Sequence, residues 1–280
     1  MISQLSGAGI RAFLVVAMVV TPSLLLPEDG AGTADAVMLI ALAAAAFVIV
    51  EYGANYPGLV EFRDAPPFNR TRFGILLVTV VLIAAAAAGQ GAPSTFTRLV
   101  SAIGLMLGQA MDFPWSPIRL ILWLLPEGTT VAEAQMVRVA LGLAYLVALV
   151  GLTVFSILIR LYRWPGRAGA FNVWINLPTF EPTAGADVVA RLRRDGAVNI
   201  LLGVALPYLT PPLAWFVGGV YGISMIDSAL VLVWSVALWA FLPASLFLRG
   251  IAMRRLALMI EVKRRRVAID HAGDPDFLPA

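Results

Sequence analysis

Few residues in this sequence could carry out catalytic chemistry. The chain has no cysteine and a single histidine, His271, which lies in a polar tail. Thiol catalysis, disulfides and thiolate metal sites are therefore excluded, and one solvated histidine does not make a metal or haem site. The GxxxxGK[ST], HExxH, GxSxG and SxxK patterns of phosphate-binding loops, zinc peptidases and serine enzymes do not occur. The sequence predicts no catalytic residue, no metal ligand and no cofactor.

The carboxylates Glu51, Glu61 and Asp64 stand next to long apolar segments. A charge in the middle of a membrane costs roughly 2.5–3.5 kcal/mol, whereas one near a helix end can reach the lipid headgroups. The position of Glu51 therefore favours an interfacial carboxylate that pairs with a loop arginine, and a proton- or substrate-coupling role is the alternative. An enzyme acting on lipids would have to use these three carboxylates and the neighbouring arginines.

Composition predicts the structure that must position these residues. The 280 residues are 60% hydrophobic and only 13% charged, against roughly 25% charged in soluble domains. A membrane-spanning helix needs about 20 mostly apolar residues. The sequence therefore predicts an all-α integral membrane protein with one helical bundle over residues 1–250 and six spans, at about 8–26, 35–56, 73–92, 136–159, 198–222 and 228–248.

The distribution of basic residues predicts the orientation of this bundle. All of them except Arg98, Arg119 and Arg138 fall in segments that share one side of the membrane. Because basic loops stay in the cytoplasm, we expect both termini to be cytoplasmic. Residues 99–125 form two apolar halves that are each too short to span. A full crossing there would move the basic tail outside, so we expect a re-entrant or interfacial hairpin on the outer side.

The cytoplasmic segments contain arginines, aromatic residues and prolines in close succession. The loops 61–74 and 160–197 are predicted to anchor the topology, and they could also form a shared docking face for a protein partner. The candidate docking residues are Arg63, Asp64, Arg70, Arg72, Trp174 and Phe180. Residues 251–280 are predicted to form a basic helix on the anionic inner leaflet, followed by a short acidic tail.

The fifth span contains three prolines, and each one removes a backbone donor from the helix. Broken helices near the midplane form the binding sites of many transporters, although proline kinks are also common in other membrane bundles. A continuous straight helix is not expected here. The residues that could line a transport path are Asn199, Pro207, Tyr208, Thr210, Pro211 and Pro212.

Three functions remain after these exclusions. The sequence favours a non-catalytic protein of the cytoplasmic (inner) membrane of a bacterium, acting as a scaffold, assembly factor or accessory subunit. A transporter or permease subunit is the alternative, and a lipid-acting membrane enzyme is third. The expected partners are anionic inner-leaflet lipids and other membrane subunits or further copies of the chain. No feature indicates binding to nucleic acid.

Overall fold

A computed structural model of the chain describes residues 2–26, 31–162, 164, 172–180 and 187–272, which form helices joined by loops and contain no strand. Six of the helices are long and apolar enough to cross a membrane, as predicted. The helices are α1 (Ile2–Leu25), α2 (Ala31–Gly53), α3 (Phe68–Gly91), α4 (Thr95–Ala110), α5 (Pro117–Trp123), α6 (Val131–Leu161), α7 (Val173–Asn176), α8 (Val188–Tyr221) and α9 (Ala229–Ala272).

Local sequence determines where several helices begin. Helix α6 begins with a capping box, in which the Thr130 hydroxyl accepts the Glu133 amide hydrogen and the Glu133 carboxylate accepts the Thr130 amide hydrogen. Helix α4 begins with a similar reciprocal pair between Ser94 and Thr97. At α5, Ser116 is the N-cap residue and Pro117 occupies the first helical position, where a missing amide hydrogen costs nothing.

Helices α3, α6 and α9 form the centre of the bundle. Their facing side chains are small or β-branched, as with Ala84, Ala140 and Ala237, which are all buried. In the most apolar stretch of α9 half of the residues (50%) are buried, whereas the corresponding figure for α2 and for α8 is 11%. Helices α2 and α8 therefore lie at the periphery and expose most of their apolar surface to the surroundings.

Small residues hold the short helix α4 directly against α6. A Cβ atom added to Gly104 would lie 2.7 Å from the Val139 carbonyl oxygen, and one added to Gly142 would lie 2.5 Å from the Gly108 nitrogen. Only glycine fits at such short distances, and its lack of a side chain allows the backbones of the two helices to touch. The predicted hairpin segment is thus attached to the bundle through its first helix.

Helix α9 continues without interruption past the predicted end of the sixth span. Its residues Ala252, Met253, Leu256 and Ala257 are buried together with Leu192 of α8. The apolar residues that had suggested a separate membrane-surface helix therefore pack against the beginning of α8. We refer to residues 187–199 and 249–269 as the α8–α9 arm. The predicted acidic tail lies beyond the described residues.

Candidate docking surface at the basic end of the bundle

One end of the bundle contains the loop 54–67, residues 172–180 and the α8–α9 arm, and we refer to it as the basic end. At its centre the Arg249 guanidinium donates two hydrogen bonds to the Glu61 carboxylate, at 2.6 and 2.7 Å. The Thr179 hydroxyl donates a third, at 2.9 Å. The Glu61 side chain is only 11% exposed. This two-pronged ion pair joins three segments that are distant in the sequence.

The same arginine fixes α8 to α9. Arg249 donates to the side-chain oxygen of Asn199 at 3.1 Å, and the Asn199 amide group donates to the Asp195 carbonyl oxygen at 2.7 Å. Asn199 was a candidate for the transport path. In the structure it is buried at the base of the α8–α9 arm, where both ends of its amide are occupied.

The loop after α2 is held by hydrogen bonds from both of its charged groups. The Glu51 carboxylate accepts the amide hydrogens of Leu59 and Val60 at 2.9 and 2.8 Å. The Arg63 guanidinium donates to the Ala54 carbonyl oxygen at 2.5 Å and to the main-chain oxygen of Glu51 at 3.3 Å. These carbonyls lack partners within α2 because it ends there. The Glu51 carboxylate at the end of α2 thus bonds backbone amides, and the loop arginine contacts the main-chain carbonyl of Glu51.

Residues of the second basic loop pack against this first loop. The Phe62 amide donates to the Asn176 carbonyl oxygen at 2.7 Å, and the Trp164 indole donates to the Ala65 carbonyl oxygen at 3.2 Å. The ring of Phe62 lies 4.5 Å from that of Phe68 and 5.5 Å from that of Trp164, measured between centroids. The two loops therefore form one folded layer across the basic end.

This layer uses three of the six candidate docking residues internally. The Arg63 side chain is 7% exposed because it caps α2. Arg72 donates to the Ser245 hydroxyl at 2.9 Å and lies against the rings of Phe68 and Phe241. Phe180 is buried, and the Arg191 guanidinium covers its ring at 4.5 Å.

Two of the other three candidate docking residues, Asp64 and Arg70, have side chains that the structure describes. Asp64 and Arg70 are exposed, and Asp64 is paired with Arg63 at 3.2 Å. Trp174 lies in the short helix α7, and its side chain is outside the described part of the structure. Docking through exposed charge at this end must therefore use residues other than most of those predicted.

The α8–α9 arm carries such exposed charge. Arg264 donates to the Asp187 carboxylate at 2.6 Å, and this hydrogen bond holds the pKa of Asp187 below its usual value. Glu261 pairs with Arg193 and Arg265. Residues 262–269 are all exposed. Lys263 and Arg266 form no ion pair with any other described residue, so this surface has an excess of positive charge.

The proline-rich helix α8 is continuous in the structure across all three of its prolines. Pro211 lacks the amide hydrogen that would normally reach the Pro207 carbonyl oxygen. The Trp239 indole of α9 donates to that oxygen instead, at 3.2 Å. The Thr210 hydroxyl donates to the Leu206 carbonyl oxygen at 2.7 Å. A side chain of the neighbouring helix thus replaces a missing backbone donor.

A cavity of about 680 Å³ lies among α5, α8 and α9. Of the six candidate transport residues, Thr210 and Pro211 line it. Tyr208 and Pro212 are exposed, while Asn199 and Pro207 lie elsewhere. Most of the lining is aliphatic or aromatic, as with Leu141, Trp215 and Trp239. The structure therefore does not bring the six residues together along one polar path.

A second polar cluster, which the sequence analysis missed, lies near the start of α6. Asp112 accepts a hydrogen bond from Arg138 at 3.0 Å and one from the Arg119 side chain. Arg119 also donates to the Asp112 carbonyl oxygen at 2.7 Å. The sequence did contain a signal for this cluster. A carboxylate precedes an arginine by seven residues, and the segment between them contains two prolines that favour a turn. The cluster closes the α4–α5 hairpin and ties it to α6.

Within the described residues no group of three or more histidine, aspartate or glutamate side chains is arranged to hold a metal ion. Comparisons with protein-family models, with curated proteins and with solved structures gave no match. The function must therefore be inferred from the residues and contacts described above.

Proposed function

We propose that this polytopic membrane protein is a non-catalytic scaffold, assembly factor or accessory subunit of a membrane complex. In this proposal both termini are cytoplasmic, and the α8–α9 arm binds an acidic surface of the partner. The observation that carries the proposal is the arm itself. From Arg249 to Ile269 it extends α9 by about 30 Å, and its last turns are exposed and basic.

The rest of the basic end supports a docking role by being rigid. Glu61, Arg249, Arg63 and Asn199 are all engaged in hydrogen bonds within the layer. Because these residues are already ordered before a partner arrives, this end of the chain would lose little conformational entropy on binding. Complementary charge on the partner would then provide specificity and speed of association.

The contacts of two of the three candidate carboxylates support the non-catalytic part of the proposal. The carboxylate of Glu51 is occupied by backbone amides, and that of Glu61 by Arg249 and Thr179. A general base must be able to reach the proton that it removes. Neither of these carboxylates can do so without first breaking the contacts that hold the loops.

The orientation and the hairpin belong to the same proposal. We assign the basic end to the cytoplasm of a bacterial cell because arginine-rich loops are retained there. Helices α4 and α5 then enter the membrane from the outer side. The close backbone contact of α4 with α6 provides protein cover of the kind that a re-entrant segment requires.

The test is to identify what the protein binds in its own membrane. Full-length tagged protein is extracted in a mild detergent, and its mass and stoichiometric partners are determined by native mass spectrometry. The double variant Lys263→Glu/Arg266→Glu reverses two exposed charges that form no ion pair with described residues. We expect it to lose the partner, because the acidic surface would then meet like charge.

Arg98→Glu is the control, since Arg98 is also exposed but follows α3 at the opposite end. This variant is expected to retain the partner. If the wild-type protein emerges alone or only as copies of itself, the scaffold proposal fails. If both variants lose the partner equally, the arm is not the docking surface.

A transporter or permease subunit is the second candidate, and the cavity beside Thr210 and Pro211 favours it. Because the lining is mostly apolar, the solute would be apolar as well. Ala214→Trp would fill this cavity, since Ala214 is one of its lining residues. The uptake of an apolar solute is then measured in vesicles that contain the wild-type protein or the variant. If Ala214→Trp abolishes uptake while α9 and the basic end stay folded, transport is favoured over docking.

A further inference from the structure

A groove of about 810 Å³ runs between α3 and α6 in the half of the bundle nearest the basic end. The two helices touch at its floor, where the Ile75 side chain occupies the space beside Gly151. At the residue just before Ile75, a Cβ atom added to Gly74 would meet nothing within 4 Å. Gly74 therefore leaves the groove open at a point where any larger side chain would fill it.

The length of the groove matches one leaflet of a bilayer. It extends along α3 from Arg70 to Leu82 and along α6 from Leu158 to Leu146. Each of these distances is twelve residues, or about 18 Å of helix. The hydrocarbon core of one leaflet is about 15 Å thick. A lipid chain that enters at the basic end would thus reach the other end of the groove near the middle of the membrane.

Polar groups occur only at one end of the groove. From Thr71 towards the end of the groove that is farther from the basic end, the walls are formed by apolar residues such as Val78, Leu82 and Val154. At the basic end it is lined by Arg70, Thr71 and Tyr162. Arg70 is exposed and forms no ion pair with any described residue, whereas the Thr71 hydroxyl donates to the Pro67 carbonyl oxygen. Arg70 is the cation at this rim that remains available to an anion.

We propose that this groove is a binding site for one anionic phospholipid. Its phosphate and headgroup contact the Arg70 guanidinium, which matches phosphate oxygens in charge and geometry. Tyr162 lies at the interface, where tyrosine is favoured. One acyl chain follows the groove past Gly74 towards Leu82. The charge at the rim and the apolar walls beneath it select this occupant over a free phosphate ion or a zwitterionic lipid.

The test uses purified full-length protein equilibrated with vesicles of equal parts phosphatidylglycerol and phosphatidylcholine. Native mass spectrometry in mild detergent then counts the retained lipids. The wild-type protein is expected to retain one phosphatidylglycerol in preference to phosphatidylcholine. Arg70→Gln should weaken this retention about tenfold, the cost of losing one charge-assisted hydrogen bond. Gly74→Leu should abolish retention of either lipid at this site.

Each variant has a matched control. Gly9→Leu also places a side chain where an added Cβ meets nothing within 4 Å, but on α1. Arg160→Gln removes an exposed arginine at the same end of the bundle that does not line the groove. Both controls should retain lipid as the wild-type protein does. Unfolding of each variant by denaturant, compared with the wild type, separates loss of the lipid from loss of the fold.

Three results would overturn the proposal. Equal retention of the two lipids by the wild-type protein would remove the role of charge at the rim. Undiminished retention by Gly74→Leu would place the lipid elsewhere. A wild-type dimer that becomes a monomer on Gly74→Leu substitution would show that a second copy of the chain covers the groove.

Discussion

Glu61 and Asp112 lie near opposite ends of α6, and each carboxylate accepts hydrogen bonds from arginine. Glu61 bonds Arg249, a partner 188 residues later in the chain, and Thr179 of the second basic loop. Asp112 bonds Arg119 and Arg138, which are 7 and 26 residues away. The first carboxylate assembles distant segments, whereas the second closes a local hairpin.

The arginines of the two clusters are about equally exposed to water, and they differ in the number of partners that each one has. Arg249 is 30% exposed, but it has Glu61 and Asn199 as well-placed partners on both sides. Arg119 and Arg138 are 34% and 29% exposed and share one carboxylate. Ion pairs that are equally exposed to water therefore need not contribute equally to the free energy of unfolding. A pair that joins several segments leaves more groups without partners when it is broken.

The largest expected effect comes from removing the charge of Glu61. Glu61→Gln leaves Arg249 without its counter-charge, and losing one partner of a largely buried pair costs about 3 kcal/mol. The free energy of unfolding, measured by denaturant titration in detergent micelles, should fall by this amount. Asp64→Asn is the control, because the Asp64 side chain is 54% exposed and should lose no more than about 0.5 kcal/mol. Equal losses would remove the distinction between the two carboxylates.

A comparable test at the other end adds a single carbon atom. Gly142→Ala would place a Cβ atom 2.5 Å from the Gly108 nitrogen, so α4 would have to move away from α6. We expect a loss of about 2 kcal/mol, which is typical of overpacking. Gly9→Ala, where the added atom meets nothing within 4 Å, should leave the free energy of unfolding unchanged or raise it slightly. An unchanged value for Gly142→Ala would disprove the close helix contact.

Asp112→Asn provides the direct counterpart to the Glu61 substitution. Asp112 joins segments that lie close together in the chain, so its neutralisation leaves fewer groups without partners than that of Glu61. We therefore expect a loss of about 1.5 kcal/mol, between the values for exposed and buried pairs. Glu127→Gln, at an exposed position on the loop before α6, is the control and should be neutral. A loss as large as that of Glu61→Gln would mean that both ends depend equally on charge.

Trp239→Phe tests how α8 remains a continuous helix. The substitution keeps an aromatic ring but removes the donor to the Pro207 carbonyl oxygen. An unsatisfied carbonyl in an apolar setting costs about 1 kcal/mol. We expect this loss in the free energy of unfolding, together with a wider spread of distances between spin labels placed on either side of Pro211. Trp234→Phe, on the same helix, also shortens a tryptophan that packs against the core, but it leaves the donor to the Pro207 carbonyl oxygen in place. It should therefore not widen the spread of spin-label distances.

The smallest effect concerns the α8–α9 arm and appears only in acid. The pKa of Asp187 is lowered by its hydrogen bond with Arg264. A lowered pKa in the folded state means that the contact contributes above the carboxyl's usual pKa and is lost as the pH falls through the lowered value. Spin labels on the two helices of the arm should therefore separate only in strong acid. In Asp187→Asn the acid-induced separation should be smaller than in the wild type, because only the Glu261–Arg193 pair across the arm can still be protonated. Separation of the wild-type arm at neutral pH would contradict the pairing of Asp187 with Arg264.

The sequence alone predicted the helical class and the six apolar spans, because apolar segment length depends on local composition. It also identified the residues of the two basic loops as a connected region. It placed Arg63, Arg72 and Phe180 on a docking face because arginine and aromatic residues are common there. Contacts with other segments decide which side chains of a loop face inward. The sequence therefore could not show that these three residues hold the layer together.

Tertiary structure decided the remaining features through contacts between distant residues. The pairing of Glu61 with Arg249, the donation from Trp239 to Pro207 and the packing of residues 251–257 against α8 each join segments that no local pattern connects. Hydrophobic length is a property of one segment and can be read along the chain. Hydrogen-bond partners and close helix contacts exist only once the helices are side by side, because their geometry depends on both partners at once.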